Sequence, residues 1–177
     1  MTPWNIVGMA ALKGLDVIAL TDHSSALNLP SAIEAGERHG VAVIPGMEVN
    51  SKEGAHVLAY FRALEDALAF GELAYKHLPD IKNRPDLFGR QIIMKRDERC
   101  GELDKLLYSA TDLTLEKLVE KIGKHRGIAV PAHINRGSSG IIGALGLMPG
   151  LPDYPVVEVV HRLPCPGYAV EGRLVLC

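Results

Sequence analysis

Cysteine is scarce in this 177-residue chain: Cys100, Cys165 and Cys177 are the only three, and no CxxC pair exists. An odd, widely spaced set of thiols excludes a disulfide framework and a structural zinc site of the CxxC kind. Neither sign of charge is in surplus, with 19 Lys and Arg against 21 Asp and Glu. Without a basic excess, nucleic acid held by bulk charge is not an expected partner, and a local basic patch is the remaining route to one. Apolar residues make up 47% of the chain, yet no run approaches the ~18–20 residues of a membrane span, so no membrane partner is expected. Met1-Thr2-Pro3-Trp4-Asn5 lacks the basic and apolar blocks of a signal peptide. Low-complexity segments and internal repeats are absent too. The composition left is that of an ordinary globular domain over residues 1–177, expected in the cytoplasm with reduced thiols.

The pattern of elements is α/β. Thr2 as N-cap and Pro3 at the first helical position predict an opening helix, with Trp4, Val7 and Ala11 on one face and Gly14 as its stop. Leu15–Leu20 is a continuous apolar run, the pattern of a strand buried on both faces of a parallel sheet. Ser31 and Glu34 have capping-box spacing for a helix ended by Gly40. Strands are predicted at Val41–Ile44, closed by Pro45-Gly46, and at Ala55–Phe61, followed by a helix over Ala63–Lys76. Residues 78–112 read as irregular, with one short helix. Beyond them come a helix around Leu115–Ile122, a strand at Ile128–Val130, a short helix at Ile141–Leu147 and strands at Val156–Val160 and Arg173–Cys177. Alternating strands and helices with short connections predict a mainly parallel sheet, with chemistry at the carboxyl ends of its strands.

Metal-capable side chains fall at those ends. Asp22 and His23 follow the first strand, Glu48 follows Pro45-Gly46, His56 opens the next strand, and His133 follows Ile128–Val130. Three imidazoles with one or two carboxylates suit a first-row metal such as Zn, Mn or Fe. Each residue also has an ordinary reading. Asp22 can hold a turn, Glu48 can be a solvated loop carboxylate, and His56 can point outward from an edge strand. His39, His77 and His125 lie in last turns of helices, where an imidazolium meets the helix dipole. His161 stays ambiguous, as does the direction of Glu158. Arg136, in the loop Arg136-Gly137-Ser138-Ser139-Gly140, suits a phosphate clamp, and Ser138 or Ser139 can cap the following helix or add backbone N–H groups to an anion.

In order and spacing, Thr21-Asp22-His23, Pro45-Gly46-Met47-Glu48, His56-Val57-Leu58 and Pro131-Ala132-His133-Ile134 resemble successive motifs of the PHP (polymerase and histidinol phosphatase) superfamily. The stretch from Phe88 to Asp112 is similar to that of stand-alone bacterial PHP proteins. The resemblance implies an irregular (β/α)7 barrel and hydrolysis of phosphate esters by a metal-activated water. It implies His23, Glu48, His56 and His133 as ligands of divalent transition ions (Zn, Mn or Fe), with Glu48 bridging. Asp22 would be a ligand or would orient an imidazole. Catalytic roles then fall to Glu48, His133 and Asp22, and Arg136 binds the substrate, a small phosphorylated molecule.

The chain also departs from that pattern. It has no HxH motif of the kind that opens PHP proteins and no DxH motif of the kind that closes them. The expectation is therefore a single PHP-like domain incomplete at both termini, a barrel lacking its first and last strands. Open strand edges would then favour self-association. Asn135 stands where relatives commonly have Asp, altering a loop hydrogen bond. The alternative function is an inactive or weakly metal-binding remnant that serves as a structural or binding domain. An amide hydrolase shares these ligand types, but Arg136 favours phosphate. The charge balance and the lack of attached polymerase sequence argue against an accessory domain of a DNA polymerase.

Overall fold

The computed structural model describes residues 1–150 and 152–177. Helix α1 spans Pro3–Leu12; Thr2 caps it by accepting from the Asn5 N–H at 3.2 Å, and Gly14 leaves it at φ +71°. Strand β1, Val17–Leu20, leads to α2, Leu29–His39. Ser31 and Glu34 do not form the predicted capping box. Asn28 is the N-cap residue and Pro30 lies in the first turn, so Ser31 and Glu34 are already helical; their side chains bind Arg96 instead. Gly40 ends α2 in the left-handed conformation as expected.

Strand β2 runs from Ala42 to Asn50, well past Pro45-Gly46. It continues because it changes partner there, lying parallel to β1 up to Pro45 and antiparallel from Gly46 to β3, His56–Tyr60. Proline lacks an N–H, so it fits where one ladder stops. Gly46 fits because a Cβ would lie 3.0 Å from Thr21 and 3.2 Å from the Ala59 carbonyl. Helix α3 follows at Leu64–Lys76.

The 78–112 segment is more regular than predicted. After the short α4, Pro85–Phe88, it forms a hairpin of β4, Ile92–Lys95, and β5, Glu98–Glu102. The hairpin turns at Arg96, held at φ +53° without the glycine such turns usually show. Helix α5, Leu115–Lys124, then precedes β6, Ile128–Pro131. Thr114 caps α5 through the Lys117 N–H at 3.4 Å. Thr114→Ala is expected to lower stability by about 1 kcal/mol, read from the urea midpoint. Helix α6, Ile141–Leu145, and the parallel pair β7, Val156–Glu158, and β8, Leu174–Leu176, complete the chain.

The sheet order is β1-β2-β3-β6, and only β1 and β2 are parallel in it. The expected mainly parallel sheet is thus a mixed one, because the five-residue connection 51–55 returns the chain directly as an antiparallel neighbour. Among the described residues the sheet does not close into a barrel. The strand Leu15–Leu20 is also not buried on both faces. Ile18 and Leu20 face the helices, while Val17 is 52% exposed on the other side. Residues of one face, including Val43, Met47, Val49, Val57, Ala59 and Ala129, pack on the helices in the main core. By the two-residue period, Glu48, Asn50, His56, Leu58, Tyr60 and Val130 share the other face. No helix of the described residues is long and apolar enough to cross a membrane.

Candidate metal centre

On this second face the register sets Glu48 opposite Leu58 and Asn50 opposite His56. Glu48 and His56 are therefore diagonal neighbours, within reach for side chains of their length. The His56 Nδ1–H donates to Glu48 Oε1 at 2.8 Å. Beyond β1 the chain stays beside β2: the Glu48 N–H donates to the Asp22 carbonyl at 3.1 Å and the Ser24 N–H to the Glu48 carbonyl at 2.9 Å. That brings His23 Nε2 to 3.5 Å from Glu48 Oε2. From the end of β6, His133 Nε2–H donates to Glu48 Oε1 at 3.0 Å. So the carboxyl ends of β1 and β6 and the amino end of antiparallel β3 converge on Glu48, near the carboxyl end of β2.

The supporting contacts are specific. His133 adopts φ +30°, an uncommon conformation for a residue with a side chain. Glu158 holds it there: its carboxylate accepts from the His133 N–H and its carbonyl from the Ile134 N–H, each at 2.8 Å. The Ser139 carbonyl accepts from the His56 N–H at 3.0 Å. Ser138 and Ser139 do not cap α6; its N-cap residue is Gly140.

Burial opposes ionisation of Glu48, but hydrogen bonds from His133 and His56 and the nearby His23 outweigh it and hold the carboxyl well below the usual range. Burial lowers the pKa of His23 despite Glu48, which keeps its lone pair free of a proton. His23, Glu48 and His56 each offer a ligand atom within 4.8 Å of the others, and His133 adds a fourth donor on Glu48. His23 Nδ1 and His133 Nδ1 are buried without a hydrogen-bond partner, a costly state for an imidazole nitrogen unless a cation or solvent engages the ring. The donor set therefore fits a divalent transition ion.

Asp22 and Arg136 stand outside this cluster. Asp22 Oδ2 accepts from Asn28 Nδ2 at 3.1 Å, and Asp22 lines a cleft of about 740 Å³ beside His23. Arg136 is exposed and makes no ion pair among the described residues. His77 binds Asp112 at 2.6 Å, His39 packs on Trp4, His125 donates to the Lys121 carbonyl, and His161 is exposed. Asn135 clips the 160–164 loop through Val160, Leu163 and Pro164. Two residues escape the sequence reading. Glu158 has a direction that its strand pattern leaves open. Tyr108 sits edge-on to His23 and His56, with ring centroids 4.7 and 5.7 Å apart; nothing periodic around it signals that position.

No family model matches the chain. A 63-residue stretch, 36% of the chain, is 38% identical to DNA polymerase III PolC-type of Oceanobacillus iheyensis, of which it spans 4%. Among solved structures, endonuclease Q in complex with a 27-mer duplex carrying an abasic lesion aligns with 88% of the chain at TM-score 0.50 and 18% identity; the chain spans 37% of it. A protein assigned as a metal-dependent phosphoesterase from Bifidobacterium adolescentis aligns with 76% of the chain at TM-score 0.48 and 18% identity, with 62% of its own length covered. The chain shares its fold with endonuclease Q. That likeness corrects one expectation drawn from charge, that nucleic acid is not a partner to expect: the endonuclease Q structure holds a DNA duplex with an abasic lesion at the active site. Net charge sums the whole surface, whereas a duplex is held by whichever groups face it.

Proposed function

We propose that this PHP-type chain is a metal-dependent phosphoesterase whose site is built on Glu48. The observation that carries the reading is one half-buried carboxylate taking His56 and His133 on one oxygen, at 2.8 and 3.0 Å, with His23 on the other at 3.5 Å. In this reading His23, His56 and His133 donate lone pairs to a Zn, Mn or Fe ion, and Glu48 offsets its charge. A divalent ion so held supplies Lewis acidity and a water of lowered pKa. Asp22 favours the basicity of His23 from the adjacent position and faces the cleft. Arg136, three residues after His133, clamps a phosphate oxygen. The substrate is a phosphate ester, and DNA phosphodiesters belong among those to be tried.

Reconstitution with Zn or Mn tests the reading. Elemental analysis is expected to find about one ion per chain, following the ligand count. Hydrolysis of bis(p-nitrophenyl) phosphate, p-nitrophenyl phosphate and a duplex oligonucleotide is then followed, and His133→Ala is expected to abolish it. Metal uptake with no hydrolysis of any of the three would instead favour a metal-binding remnant. Full activity in His133→Ala would remove His133 from the site.

A further inference from the structure

We infer that Tyr108 and the cleft beside it form a subsite for the aromatic ring of a phosphate-bearing ligand, a nucleobase being the ring class proposed. This rests on the metal-dependent phosphoesterase reading, which places the phosphate at the histidine cluster. Tyr108 leans on His23 and His56 yet leaves 51% of its surface exposed, so a large amphipathic ring stands open at the edge of the metal centre. The cleft it lines is of ligand size, about 740 Å³, and joins His23 and Asp22 to an apolar wall that includes Ile6, Leu20, Ile92, Leu106 and Leu107. Arg90, also on its lining, is paired with Glu102, and the wall beyond it is apolar, which suits an uncharged ring.

The position of Tyr108 is built rather than incidental. Asn50, two residues beyond Glu48 on the same face of β2, donates from Nδ2 to the Tyr108 carbonyl at 2.8 Å. The preceding segment is braced by Gln91, whose amide donates to the Leu103 and Lys105 carbonyls at 2.9 and 2.7 Å and accepts from the Leu107 N–H at 2.9 Å. On the opposite wall, Asn28 ties Asp22 to β4 by binding the Ile92 carbonyl and the Met94 N–H. The strand that carries the central carboxylate therefore also fixes the aromatic ring, and a rigid aromatic platform stacks bases with little ordering cost.

The full Zn-loaded chain is titrated with adenosine 5′-monophosphate and with ribose 5-phosphate by calorimetry, and the Tyr108 ring protons are followed by NMR. The wild type is expected to prefer the nucleotide by about tenfold or more, with an upfield shift of the Tyr108 ring signals on addition of the nucleotide alone. Tyr108→Ala is expected to remove that preference while leaving ribose 5-phosphate affinity and zinc content unchanged; Tyr108→Phe keeps the preference. Equal loss for both ligands in Tyr108→Ala, an unchanged preference, or no preference in the wild type would each overturn the subsite. If the Ala variant does not fold, Tyr108→Leu and the wild-type NMR shift carry the test. Preference for the nucleotide without hydrolysis of any ester would overturn the phosphoesterase reading and leave the ring subsite standing. Hydrolysis with no ring preference would do the reverse.

Discussion

Glu48→Gln is expected to lower zinc affinity by at least about 100-fold, measured by competition with a chromophoric chelator. Changes to groups that merely support a ligand cost about 10–100-fold, and Glu48 is proposed as the ligand itself. The substitution keeps the shape of the side chain and removes its charge, the one negative charge that His23, His56 and His133 all approach. An ion held by three neutral imidazoles then lacks its offsetting anion in a largely buried place. The amide oxygen can still accept a hydrogen bond from His56, so the circular dichroism spectrum should be unchanged. Zinc bound as tightly by the Gln variant as by the wild type would remove Glu48 from the coordination sphere.

Phe70→Ala is expected to destabilise the chain by about 3–5 kcal/mol, the range for deleting a fully buried aromatic side chain. Phe70 on α3 is 0% exposed, with its ring centroid 5.5 Å from Phe61 at the end of β3 and 5.6 Å from His125 after α5. It therefore closes the main core where the sheet and two helices meet. Ala removes the ring and leaves a space that three rigid elements cannot all fill. A loss of that size consumes much of the stability of a typical domain, so urea unfolding should shift strongly or the variant should fail to accumulate. A loss under about 1 kcal/mol would mean that the packing around Phe70 relaxes freely.

The grouping of His23, His56 and His133 is legible from the sequence because each stands where an apolar strand meets a polar segment, whereas Glu48, expected just beyond a strand, lies within β2. Those changes mark where a sheet surfaces, whichever way its strands run. The same signal misleads about direction. His56 opens its strand, and it reaches the others only because β3 runs antiparallel to β2. The hairpin of β4 and β5 is illegible for a different reason. Its second strand reads Glu-Arg-Cys-Gly-Glu, poor in β-formers, and its turn lacks the usual Asn-Gly or Asp-Gly.

By itself, then, the sequence determines the local grammar. The caps at Thr2 and Thr114, the left-handed exit at Gly40, most of the strands and the residue types of a metal centre follow from short-range sterics and hydrogen bonding. Tertiary structure alone decides what depends on distant partners. It opens one face of β1, carries β2 through Pro45 and turns Glu158 toward the His133 backbone. It also delivers Tyr108 to the histidines, anchored by Asn50 from 58 positions away along the chain. Such contacts are set by which elements pack together, and that is a property of the whole core rather than of any window of sequence.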